Sequence, residues 1–171
     1  EQRKNIDWIP VEIGFDKSIP FCEYFVVPYV VWYLSIVGTL WYFALYDALQ
    51  FKRFMTFIIV TQVVAMAIYI AFPNRQDLRP DTFVNHNIFT QTVQFLYRVD
   101  TNTNVCPSLH VAYSIGIAST WLKEKSVGFG VKTAVTAFCV LVCLSTVFIK
   151  QHSAVDVLVA IPICFLAEYV V

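Results

Sequence analysis

The sequence predicts an all-α, polytopic membrane bundle with about five transmembrane helices and one short interfacial helix, on three observations. The chain is 58% hydrophobic and 16% aromatic but only 14% charged, whereas soluble domains run near 45–50% apolar and about 25% charged. Its apolar residues form uncharged runs close to the roughly 20 residues that a helix needs to cross a hydrocarbon core of about 30 Å. Most of the charges collect in short breaks between those runs, with Lys132 near the start of one of them.

Residues 1–26 mix charge with Trp8, Ile9, Phe15 and Phe21 and read as an interfacial segment. Val27 to Tyr46 is the first span. Asp47 to Arg53 is a polar break holding Lys52 and Arg53, and Phe54 to Phe72 is the second span. Pro73 to Asn87 collects Arg75, Asp77, Arg79 and Asp81 in a loop outside the hydrocarbon. From His86 to Arg98, Phe89, Val93, Leu96 and Tyr97 recur at helical spacing, which predicts a short amphipathic helix over the bundle. Pro107 to Leu122 is the third span, Val127 to Ile149 the fourth, and the fifth runs from Ser153 to the end. Together, residues 1–171 make one membrane-embedded domain, with 27–171 as its bundle. A start at Glu1 and an end inside an apolar run lead us to expect trimming at one or both ends.

Lys52, Arg53, Lys123, Lys125 and Lys132 fall on one side by span counting, and the positive-inside rule makes that side cytoplasmic. Arg75, Arg79, Ser108 to His110, and Lys150 to Asp156 then converge on the extracytoplasmic face. The balance of 12 basic and 12 acidic residues, with no dense basic run, excludes a nucleic-acid footprint. No C-x-x-C pair is present, and a Cys22 to Cys106 disulfide is one option for the two cysteines in polar flanks.

Two polar stretches carry the chemistry. Ser108 and His110 open an apolar run where a helix N-terminus favours an anion, although Ser108 also reads as a plain N-cap. His152 and Asp156 are four apart, so on a helix the carboxylate orients one imidazole nitrogen and leaves the other free to attack; Ser153 to Asp156 equally fits a capping box. His86, with His110, His152 and Asp156, matches no zinc spacing, and no metal or other cofactor is expected.

Arg79-Pro80, Pro107-Ser108-Leu109-His110, and Ser145 followed by His152 and Asp156 resemble the three motifs of the type 2 phosphatidic acid phosphatase superfamily, K-x6-R-P, P-S-x-H and S-R-x5-H-x3-D. The likeness covers roughly residues 54 to 171 and implies a six-helix family fold. It implies that His152 is the nucleophile, Asp156 holds its tautomer and His110 protonates the leaving lipid oxygen. Arg79, Ser108 and the main-chain N–H groups around Leu109 would bind phosphoryl oxygens. Two motif cations are missing, because Phe72 and Thr146 stand in their places. Lys150 and Arg75 are the expected replacements, since losing one well-aimed donor costs about 10²–10³ in rate.

The resemblance implies an integral plasma-membrane lipid phosphatase, metal-independent, acting on a lipid phosphate monoester or diphosphate through a phosphohistidine at the extracytoplasmic face. Its expected partners are the lipid substrate and the bilayer. A lipid phosphotransferase similar to inositol phosphorylceramide or sphingomyelin synthases, and a noncatalytic lipid-phosphate-binding homologue, are the alternatives.

Overall fold

The computed structural model describes residues 7–171; the first six residues of the expected interfacial segment lie outside the described residues. The described residues form α1 (Gly14–Ser18), a 3-10 turn (Glu23–Phe25), α2 (Val26–Tyr46), α3 (Ala48–Ala71), α4 (Ile88–Val99), α5 (Leu109–Lys123), α6 (Phe129–Phe148) and α7 (Ala154–Val170). The expected all-α class holds, with one addition. β1 (Ile9–Pro10) and β2 (Asn74–Arg75) pair in parallel and tie the N-terminal segment to the loop after α3.

Among the described residues, three helices are long and apolar enough to cross a membrane: Glu23–Tyr46, Ala48–Ala71 and Phe129–Phe148. The other two expected spans are shorter. α5 has 15 residues and α7 has 17, which at about 1.5 Å per residue gives roughly 22 and 26 Å. α3 begins earlier than charge patterning predicts, because Asp47 caps it by accepting from the main-chain N–H groups of Leu49 and Gln50 at 2.9 and 3.1 Å. Lys52 and Arg53 are therefore helical.

α5 is the central helix and packs against α2, α3, α6 and α7. Its small residues permit this. Ser114 and Gly116 are buried, and a Cβ at Gly116 would stand 2.7 Å from the Phe57 ring of α3. Gly116→Leu should lower the thermal midpoint in detergent, with a loss of about 1–3 kcal/mol from overpacking. Apolar clusters join these helices: Phe57, Ala112, Cys164 and Ala167 in one, and Phe54, Ile117 and Cys139 in another. Leu34, Trp41, Ile59, Leu158 and Phe165 remain exposed around the outside, as suits a bundle whose surroundings are apolar.

At one end, α4 packs Val93 and Leu96 on Val26, Tyr29 and Ile149. Asn87 caps it, accepting from Thr90 N at 3.0 Å. The neighbouring loops are fastened by buried amides. Asn74 Oδ1 accepts from the N–H groups of Val105 and Cys106, and its Nδ2 donates to the Cys106 carbonyl. Gln76 Nε2 donates to the Lys150 carbonyl at 3.0 Å. Asp16 is fully buried and accepts from Ala154 N at 2.7 Å, which fixes the N-terminal segment on the start of α7. All five cysteines are free thiols, so the Cys22 to Cys106 disulfide does not form in this structure.

Candidate active site

α6 ends in a reversal that presents the site. Lys150 adopts a left-handed backbone, with φ of 55°, and donates its N–H to Val147 O, while Gln151 N–H donates to Thr146 O. Those two bonds make a Schellman stop with lysine where glycine is usual. The His152 N–H also donates to Thr146 O, at 3.0 Å. His152 thus sits in the turn before α7 and not on a helix, which corrects the helical i, i+4 geometry expected for it.

Asp156 is fully buried and performs both roles that its spacing allows. Its Oδ2 lies 3.1 Å from His152 Nδ1 and accepts from Ser153 N–H at 2.9 Å, and its Oδ1 accepts from the Ser153 hydroxyl at 2.9 Å. Ser153 returns the capping bond by accepting from Asp156 N–H at 3.2 Å. A carboxylate held this way acts as acceptor towards Nδ1–H, which leaves the His152 Nε2 lone pair available. That Nε2 lies 3.4 Å from His110 Nδ1.

His110 comes from the first turn of α5 and stacks on Trp32 and Tyr29, with ring centroids 4.2 and 4.4 Å away. Its Nε2 is buried without a hydrogen-bond partner. Ser108 is the N-cap of α5: its hydroxyl accepts from Val111 N–H, and its own N–H donates to Asp156 O. The main-chain N–H groups of Leu109 and His110 occupy the helix positions that have no internal acceptor.

A cavity of about 140 Å³ opens here, lined by His110, His152, Leu109, Gln151, Asp100 and Tyr69 together with Thr101, Thr103, Asn104 and Val105. It is several times the roughly 30 Å³ that a water occupies in the liquid. Of the residues expected at the site, His110, His152 and Leu109 line the cavity, with Asp156 directly behind His152.

The expected cations are placed differently. Arg79 sits one side chain back, donating to the carbonyls of Tyr97 and Asp100 at 3.0 and 2.6 Å and to Gln151 Oε1 at 2.6 Å, with its guanidinium carbon 4.4 Å above the Tyr97 ring. Burial pulls its pKa down, opposed by Tyr97, Asp100 and Tyr29, and a guanidinium remains charged in proteins. Lys150 does not reach the cavity. Its ammonium donates to the carbonyls of Asp16 and Ile19 at 2.7 and 2.6 Å, because the left-handed turn sends its side chain to the N-terminal segment. Arg75 pairs with Asp77 at 3.2 Å on the exposed loop. Neither Lys150 nor Arg75 therefore replaces the missing motif cations in this arrangement, and no Lys or Arg is among the described residues lining the cavity.

Gln151, Asp100, Tyr29 and Trp32 were not anticipated as site residues. Tyr29 O–H donates to Asp100 Oδ2 at 2.9 Å, and Gln151 Nε2 lies 3.3 Å from the same oxygen. Gln151 had one available signal, a polar residue beside His152 in a stretch otherwise about to enter an apolar run. Cys106 is no rival nucleophile: burial first, then the nearby Asp156 charge, push its thiol up to about 12. Among the described residues no group of three or more His, Cys, Asp or Glu is placed to hold a metal, and His86 is exposed.

Compared with known proteins, the chain matches no family model, no curated protein and no solved structure.

Proposed function

We propose that this chain is a membrane-embedded lipid phosphatase of the type 2 phosphatidic acid phosphatase kind, which cleaves a lipid phosphate monoester or diphosphate through a phosphohistidine. The observation that carries the reading is the Asp156–His152–His110 relay at a small cavity. In this reading α5 and α7 cross the bilayer beside the three longer helices, and the cavity opens on the extracytoplasmic face of the plasma membrane.

The chemistry follows from the two imidazoles. The phosphoryl group enters between them, which requires the 3.4 Å contact to open. His152 Nε2 attacks phosphorus in line as the bond from phosphorus to the lipid oxygen breaks. His110 gives its proton to the leaving alkoxide. Water then attacks the phosphohistidine while His110 takes a proton back, and phosphate leaves. Phosphoryl transfer depends mainly on positioning and on donors aimed at the equatorial oxygens. Leu109 and His110 N–H at the positive end of α5 supply two such donors.

Transfer to an alcohol instead of water uses the same relay. The test is product analysis from lipid phosphates in detergent with excess chelator, with and without added alcohols. Release of inorganic phosphate supports hydrolysis, and phosphorylated alcohol supports transfer. Neither product from any lipid phosphate would overturn the enzyme reading.

A further inference from the structure

Beside the histidines, the cavity lining includes one carboxylate, Asp100, and the amide of Gln151. The two are bonded to each other. Arg79 donates to Gln151 Oε1 and so fixes that oxygen as the acceptor end of the amide; the Nε2 end is left as the donor, shared between Asp100 and Tyr29. The Arg79 charge is one side chain from the cavity and has the Asp100 carboxylate beside it. This wall therefore presents no net positive charge to a ligand.

From this we infer that the cavity takes a phosphoryl group bearing a single negative charge, and rejects the dianion of a phosphate monoester. The inference rests on the reading of the relay as a phosphoryl-transfer site. A dianion has to place its second charge near Asp100 with no lining cation among the described residues to offset it. A monoanion is served by the N–H groups at the start of α5. Two lipid sources meet the requirement: a phosphodiester, singly charged at every working pH, and a monoester in its protonated form.

With either source the step is the same. The bond from His152 Nε2 to phosphorus forms, the bond from phosphorus to the diacylglycerol oxygen breaks, and the His110 proton goes to that oxygen. The phosphoryl group, with its head-group alcohol still attached in the diester case, then passes to water or glycerol, whose proton returns to His110.

The titratable groups facing the substrate are His110 on α5, His152 before α7, Asp100 after α4 and Tyr69 on α3. Asp156, Arg79 and Tyr29 stand behind them. The two histidines serve both substrates alike and cancel in a ratio of rates, whereas the Asp100 charge bears on the dianion alone and is removed in Asp100→Asn. The ratio then reports the ionisation of the phosphate, whose second pKa is about 6.

The experiment measures diacylglycerol release from phosphatidylglycerol and from phosphatidate of identical chains, in detergent with glycerol present, between pH 5 and pH 8. For the native chain the diester-to-monoester ratio should climb by about tenfold per unit above pH 6, as the monoester loses its protonated form. Asp100→Asn keeps an acceptor for Tyr29 and should flatten that climb. A ratio that stays level or falls with pH in the native chain overturns the inference while leaving the relay intact. An unchanged climb in a folded Asp100→Asn chain overturns the role of the carboxylate wall. Absence of any His152-dependent release from either lipid overturns the transfer reading and this inference with it.

Discussion

His152→Ala should abolish turnover of lipid phosphates, by about 10⁴–10⁶-fold, the scale on which enzymes lose rate when the attacking group is removed. The fold should survive. His152 has two side-chain partners, Asp156 and His110, and Asp156 keeps its bonds to Ser153 when the imidazole is gone. The thermal midpoint of the variant in detergent should therefore stay within a few degrees of the native chain, on the order of a 1 kcal/mol change or less. A native-like rate in a folded His152→Ala chain would remove His152 as the nucleophile and with it the phosphohistidine.

Asp156→Asn should lower turnover by about 10⁴-fold without unfolding the chain, because an amide can invert the imidazole tautomer. With Oδ1 still accepting from the Ser153 hydroxyl, and that hydroxyl still accepting from the main-chain N–H of residue 156, the helix start keeps two of its capping bonds and loses the one from Ser153 N–H to Oδ2. The amide N–H, however, faces His152 Nδ1 and favours the form with its proton on Nε2, where the attacking lone pair should be. Asp156→Ala separates chemistry from folding. It leaves two buried Ser153 donors without an acceptor, at about 1–3 kcal/mol each, so activity and thermal midpoint should fall together. If Asp156→Asn kept its rate, the carboxylate would serve only as a cap.

The parts of this architecture that could be read in advance are those governed by local pattern. α2 and α6 lie within two residues of the apolar runs that announce them, and α4 agrees with its amphipathic spacing. His110, His152 and Asp156 were legible because each lies in a short polar stretch between apolar runs, where a buried imidazole or carboxylate has few bland explanations. The five-span count was less secure. α5 carries His110, Ser114, Gly116, Ser119 and Thr120 on a helix of only 15 residues, and a hydropathy pattern does not separate a short central helix from a full span.

Lys150 marks the limit of such reading. Helical spacing aims it at the site, but α6 stops at Phe148 and the next turn is left-handed, so consecutive side chains diverge: Lys150 to the N-terminal segment, Gln151 and His152 to the cavity. Nothing in the local pattern announces that reversal. Tyr29 likewise lies in an apolar run with no local sign of a partner, and its hydroxyl donates to Asp100, 71 residues away.

Composition and hydrophobic run length were enough to predict an all-α bundle with helices long and apolar enough to cross a membrane, because backbone polar groups in an apolar medium are satisfied within a helix. The spacing of Ser153 and Asp156 was enough to establish the capped start of α7, since a capping box closes within four residues. The charge of the cavity is of another kind. It depends on where Arg79, Asp100 and Gln151 meet, across separations of 21, 51 and 72 residues. Hydrogen bonds between such distant residues form only after the loops have been brought together by packing of α2, α4 and α6, so three-dimensional assembly alone decides which charges reach the two histidines.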